Sequence, residues 1–191
     1  MQRDYPVNLR WAPFLLDPSI PAEGKPRTPQ TTAETPRSPI EQAAEARGVA
    51  IRRGRTFTPS SRLALEAAEF AYDRGQHSDA LHRALFKANF EDFEDIGDID
   101  VVVRIASEQG LEADALRTAL ADGQYRERVD EQVAWARSAG VRGIPTFIFN
   151  YKYAISGAQE YSVFQRMLEQ LGYPPPDGDA AHTSRDPDWA I

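Results

Sequence analysis

The 191 residues contain no cysteine. That excludes disulfides, thiolate metal sites and a cysteine nucleophile within this stretch of chain. Histidine is scarce too: only His77, His82 and His182 occur, and the last lies in a polar tail. A histidine metal site is therefore not expected, and the three read as solvated or helix-surface side chains. Positive charge is in the minority, with 22 Lys and Arg against 29 Asp and Glu and a net charge of −7. Nucleic-acid surfaces need clustered cations to displace counterions, so none is expected. No apolar run approaches the roughly 20 residues that a membrane-spanning helix requires. The opening residues Met1 to Pro6 lack the apolar core of a secretory signal. A soluble, cytoplasmic protein is the expectation.

What is present is unevenly spread. Apolar residues concentrate between Ser61 and Leu171, and both flanks are rich in proline and polar residues. Val7-Asn8-Leu9-Arg10-Trp11 alternates in the manner of a half-buried strand. Residues 24–40, "GKPRTPQTTAETPRSPI", hold little apolar mass and predict a mobile loop. Glu41 to Gly48 suits a short helix and Val49 to Arg52 a brief extended piece.

From Thr58 the pattern becomes helical. Thr58-Pro59-Ser60-Ser61 supplies cap residues and a proline suited to a helix start. Leu63, Ala67, Phe70 and Ala71 then form one apolar face, and Gly75 stops the helix. Ser78 is placed to cap a second helix whose Leu81, Leu85 and Phe86 point inward, continuing towards Phe90 and Phe93. Asp98 or Asp100 opens a third around Val102, Ile105 and Ala106, ended by Gly110. Leu116 and Leu120 mark a fourth, ended by Gly123, and Tyr125 to Ala139 a fifth built on Val129, Val133 and Ala136. Core packing is the expected role of Phe90, Phe93 and Trp135. The acidic stretch 91–100, "EDFEDIGDID", lacks the glycine and bidentate glutamate of an EF-hand and reads as a solvated connection. Asp130 and Glu131 read as helix-surface charges.

The period then changes. Thr146-Phe147-Ile148-Phe149 and Lys152-Tyr153-Ala154-Ile155 read as strands joined by a tight turn at Asn150-Tyr151. A last helix spans Glu160 to Leu171, with Phe164, Met167, Leu168 and Leu171 inward, and the remainder reads as a disordered tail.

The stretch 140–159, "GVRGIPTFIFNYKYAISGAQ", closely resembles the end of DsbA-family thioredoxin-like proteins of the FrnE-like branch. "LRWAPFLLDPSIPAEG" (9–24), "SRLALEAAEFA" (61–71), "ALFKANFEDFEDIGD" (84–98) and "QYRERVDEQVAWARSAGV" (124–141) extend the resemblance over about residues 7 to 172. It implies an α/β, thioredoxin-like fold with an all-helical inserted subdomain. The implied organisation is a partial thioredoxin-like half at 1–57 carrying the mobile proline-rich loop, then the helical insertion at 58–140. A thioredoxin-like strand-strand-helix follows at 141–172, with a disordered tail at 173–191. In such folds the proline matching Pro145 is cis. The backbone around it, here Gly143, Ile144, Pro145 and Thr146, meets an extended or unfolded polypeptide substrate.

The sequence departs from that family at its start. Members open with a strand leading to a Cys-x-x-Cys helix, and both the first strand and the active-site helix are missing from these 191 residues. Upstream residues not included here, a truncated relative, and a fold completed in trans are three origins for the gap. Ser60 stands where members often have asparagine, and Tyr151 replaces a frequent turn glycine, which predicts a different turn type. The resemblance thus implies a thiol–disulfide oxidoreductase or a redox-inactive relative that keeps the substrate-binding edge. No residue here is assigned a catalytic role, and no metal or cofactor is expected. Two alternatives are a glutathione-dependent isomerase like the 2-hydroxychromene-2-carboxylate enzymes, and a non-enzymatic peptide-binding module lined by Phe90, Phe93 and Trp135.

Overall fold

Helix-forming periodicity dominates the chain, and the computed structural model bears this out from Arg62 to Ser138. The structure describes residues 4–32, 34–76 and 79–173. By contact the chain divides into two units: Ala12–Ala139, and the residues up to Trp11 together with those from Gly140 onward.

In the first of these, α2 (Arg62–Asp73), α3 (Asp79–Lys87), α4 (Ile99–Glu108), α5 (Ala113–Ala121) and α6 (Arg126–Ser138) follow one another in sequence. Phe70, Ala67, Val102, Ala106 and Leu116 are fully buried in their shared core. Asp98 caps α4 by accepting from Asp100 N–H at 2.7 Å. Glu112 does the same for α5, so the helix starts satisfy amides that no intrahelical carbonyl reaches. Ser61 is the residue before α2 but makes no side-chain cap; Ser60 Oγ accepts from Arg62 N–H at a long 3.4 Å instead. The cap expected at Ser78 lies outside the described residues.

Four expectations are corrected in the fold, the last at the β-hairpin turn below. Residues 24–32 and 34–40 are tied down and do not form a loose loop. β1 (Lys25–Pro26) pairs antiparallel with β2 (Phe57–Thr58), and α1 (Pro39–Ala46) begins with a full capping box between Ser38 and Glu41. The pairing depends on Gly24, whose φ is +72° and where a Cβ would stand 2.3 Å from the Phe57 ring. Arg53 then clamps the segment, donating to both Glu41 oxygens at 2.7 and 3.1 Å and to the carbonyls of Thr32 and Thr35.

Second, Val7–Trp11 forms no strand. An alternating pattern needs a ladder partner, and no described strand lies beside it; Leu9 and Trp11 are exposed. Third, Phe86, Phe90 and Trp135 are not core residues, being 37%, 41% and 42% exposed, and Phe93 is half-buried. At about 100° per residue Phe86 stands roughly 140° round the helix from Leu81, so the two cannot share a face. A π-helical turn at Ala88–Asp92 then carries Phe90 to the same outer side.

The second unit holds β3 (Thr146–Phe149), β4 (Tyr153–Ser156) and α7 (Tyr161–Gln170). The strands pair antiparallel, with Phe147 opposite Ile155 and Phe149 opposite Tyr153. Their turn departs from expectation, because Asn150 and Tyr151 both take positive φ, +49° and +57°. This is the left-handed geometry that the flanking strand twist favours, kept without the glycine that usually relieves it. Lys152 N–H closes it on the Phe149 carbonyl at 3.0 Å. The Phe147 and Phe164 rings meet edge to face with centroids 4.8 Å apart, and Phe164 and Leu168 of α7 are buried. The expected tail from residue 174 onward lies outside the described residues.

Candidate functional site

Pairing decides what Gly143, Ile144, Pro145 and Thr146 present. Gly157 N–H donates to the Pro145 carbonyl at 2.8 Å, which extends the β3–β4 ladder by one step. Antiparallel ladders alternate, so with Pro145 turned to β4, Phe147 and Phe149 turn there as well. The N–H and C=O groups of Thr146 and Ile148 then face the opposite edge of β3. Among the described residues that edge has no strand beside it.

The side chains follow the same alternation. Phe147 and Ile155 go to the α7 side. Thr146 and Ser156, opposite each other, bring their hydroxyls to 3.4 Å on the other face. Thr146 Oγ1 also donates to the Gly143 carbonyl at 2.7 Å, which fixes the turn entering the strand. The Ile144–Pro145 peptide bond is cis, and Ile144 is 55% exposed immediately before it. A Cβ at Gly143 would meet nothing within 4 Å among the described residues, so none of them demands glycine there. The four predicted residues are thus brought together at one strand entrance. Ile148, 37% exposed, belongs with them although the sequence reading omitted it. Counting by twos from Pro145 distinguishes the edge-facing residues from those turned to β4.

Elsewhere in this unit the Tyr161 hydroxyl donates to Asp4 Oδ2 and ties the start of the chain to α7. Burial pushes the Tyr161 phenol well above its usual range, and the Asp4 hydrogen bond adds to the shift. Tyr5 is buried, and its hydroxyl has no hydrogen-bond partner among the described residues.

The remaining described titratable groups serve the surface and the helix ends. No described group of three or more His, Asp and Glu side chains could hold a metal ion. His77 and His182 lie outside the described residues. His82 is half-buried on α3, where desolvation holds its pKa below the usual imidazole value against the opposing charge of Asp79. Asp130 is surface-exposed as expected and pairs with Arg62 at 2.8 Å. The acidic stretch 91–100 is spent on structure: Asp95 accepts from Gly97 N–H, Asp98 caps α4, and Glu94 pairs with Arg104.

Comparison with known proteins places this arrangement. A profile of the DSBA-like thioredoxin domain matches residues 1–169. The crystal structure of a probable DsbA oxidoreductase from Streptomyces coelicolor aligns with a TM-score of 0.66 at 31% identity, covering 84% of this chain and 74% of that one. An uncharacterized protein of Bacillus subtilis, YwbO, is 29% identical over 166 residues, which is 85% of this chain and 81% of the relative. The fold is thioredoxin-like α/β with a helical insertion. By the extent of that match, the chain belongs to the DSBA-like thioredoxin domain family.

Proposed function

We propose that these residues form the substrate-recognition part of a DsbA-type thiol–disulfide oxidoreductase of the FrnE-like branch. An extended segment of unfolded polypeptide lies along the outer edge of β3, pairing with Thr146 and Ile148, while Ile144 and Pro145 shape the entrance. The observation that carries the reading is the unpartnered edge of β3 beside an exposed Ile144. An extended peptide adding to such an edge gains main-chain hydrogen bonds whatever its sequence, which suits a protein that handles many unfolded chains. Thiol–disulfide exchange proceeds by thiolate attack through a mixed disulfide. With no cysteine in these 191 residues, both sulfurs of such a step come from outside them.

The edge is tested by proline. Ile148→Pro removes an outward N–H without removing a β3–β4 bond. Ala154→Pro does the same on the outer edge of β4, since Ala154 lies opposite Ile148. Binding of a fluorescein-labelled, cysteine-free unfolded polypeptide is read by anisotropy. The reading expects Ile148→Pro to weaken binding about tenfold, from one lost net hydrogen bond plus obstructed pairing. Ala154→Pro leaves binding intact. Equal effects of the two prolines refute strand addition at β3. In a disulfide-reduction assay, the 191 residues alone give no turnover above the reductant background.

A further inference from the structure

The helical unit carries a surface that the β3 edge does not use. Phe86 and Phe90 are stacked, ring centroids 6.1 Å apart and planes within 21°, and both are more than a third exposed. Phe90 sits in the π-helical turn and Phe93 closes it with a φ of +60°. A bulky side chain rarely adopts that backbone, and such outliers concentrate at functional positions. Two guanidinium groups hold the turn. Arg55 lies 4.8 Å from the Phe93 ring and 5.9 Å from that of Phe90, and both its terminal nitrogens donate to Asn89 Oδ1 at 2.9 Å. Arg52 lies 5.0 Å from the Phe93 ring, and its side chain reaches the carbonyl of Asp92. Arg27 N–H pairs with the Thr56 carbonyl, which sets Arg27 beside Arg55, and its charge adds to the burial that lowers the Arg55 pKa.

The arginines here differ from most others in the chain. Arg37, Arg53, Arg62, Arg104, Arg117 and Arg128 each pair with a carboxylate. Arg27, Arg52 and Arg55 have no carboxylate partner among the described residues, and the nearby Asp92 carboxylate is taken by Lys87 at 2.6 Å. A chain with a net charge of −7 thus keeps three arginines with no direct carboxylate partner among the described residues near an exposed aromatic pair. Aromatic and arginine side chains of this kind are the residues that dominate protein–protein binding energy.

We propose that Phe86, Phe90, Arg27, Arg52 and Arg55 form a docking surface for an acidic polypeptide segment that carries an aromatic or large aliphatic side chain. The apolar side chain packs on the Phe86–Phe90 pair, and its flanking carboxylates meet the three guanidinium groups. The occupant is polypeptide and not nucleic acid, because three cations on an acidic protein make no continuous phosphate track. The inference stands apart from the β3-edge reading, since its residues and its probe differ.

The probe is a fluorescein-labelled hexapeptide, Asp-Glu-Phe-Glu-Asp-Leu, titrated with the full chain and read by anisotropy. Its counterparts carry Lys for every acid, or Ala for Phe and Leu. The acidic apolar peptide is expected to bind about tenfold more tightly than either counterpart, and less tightly as salt is raised. Phe90→Ala and Arg27→Gln both alter exposed side chains and leave the core intact; each is expected to weaken binding roughly fivefold or more. Equal binding of the lysine peptide, or unchanged binding by both variants, overturns the proposal. Tighter binding of a ten-nucleotide single-stranded DNA at the same residues overturns it in favour of nucleic acid. Concentration-dependent self-association abolished by Phe90→Ala overturns it in favour of a second copy of the chain.

Discussion

Replacing Glu66 by methionine is expected to make this protein more stable. Glu66 lies on α2 with no exposed surface, and neither carboxylate oxygen has a hydrogen-bond partner among the described residues. Its neighbour Glu69 is nearly as buried but has the Arg128 guanidinium 3.6 Å away. Desolvation pushes the Glu66 pKa up, opposed by the charges of Arg126 and Arg62 and reinforced by Asp130. A buried, unsatisfied polar group costs about 1–3 kcal/mol, more when charged. Methionine has a similar length, adapts to irregular space and has no polar atom to satisfy. Its introduction strands neither cation, because Arg126 is exposed to water and the Arg62 side chain, 31% exposed, keeps Asp130 at 2.8 Å. The expected gain at neutral pH is therefore about 1–3 kcal/mol, or roughly 2–12 °C in Tm for a chain of this size.

The pH dependence gives that prediction a second, independent reading. A carboxyl whose folded pKa is raised keeps its proton where the unfolded chain has lost it. Stability then falls as pH rises from the ordinary carboxylate value, about 4.3, to the raised folded value. This group contributes at most about 1.4 kcal/mol per pH unit to that slope. The advantage of Glu66→Met must accordingly be largest at and above neutral pH and shrink towards pH 4–5. Urea denaturation of both proteins across that range checks it. A methionine variant less stable at neutral pH by more than about 1 kcal/mol refutes the argument, as does a gain that ignores pH.

Arg53→Ala is expected to free the 27–40 segment, so that trypsin cuts after Arg37 at least about tenfold faster than in the parent, because local opening controls cleavage. In the parent the Arg53 guanidinium is the largest cause, with Ser38 adding, that holds the Glu41 pKa down to about 2. The clamp's contribution is present above the ordinary carboxylate range and is lost as pH falls through about 2, a dependence that Arg53→Ala should lack. Gly24→Ala forces a Cβ to within 2.3 Å of the Phe57 ring at a φ of +72°, and should cost about 2–4 kcal/mol by thermal denaturation. Leu116→Ala empties a fully buried position in the helical core and should cost about 2–5 kcal/mol in the same assay.

What the sequence made legible were the features that local physics decides. Five helices from Arg62 to Ser138 follow from 3.6-residue periodicity closed by glycine, and the β3–β4 hairpin from the change to period two. The features it concealed depend on contacts between distant residues. Val7–Trp11 alternates as a strand should, but alternation is local and a ladder is not. Lys25–Pro26 pairs with Phe57–Thr58 over two residues, too short a run to leave a periodic trace. Arg53 turns a proline-rich stretch into a fixed one through carbonyls and a carboxylate that lie 12 to 21 residues away in sequence. Composition alone reads such a stretch as loose.

In the helical unit the same division holds, with one instructive exception. Glu66 was in fact written into the helical pattern. Leu63, Ala67, Phe70 and Ala71 occupy i, i+4, i+7 and i+8, and the missing i+3 position on that face is Glu66. Its spacing places it inward, against the usual surface preference of a glutamate. Phe86 and Phe90 show the converse error, since hydrophobicity was allowed to override an angle that pointed them out. In each case geometry and residue type disagreed, and geometry prevailed. Such disagreements cost stability, and they are where function is to be sought. The exposed phenylalanines, beside arginines that have no carboxylate, invite a partner. The buried glutamate, with no group to bond it, explains why its removal should strengthen the fold.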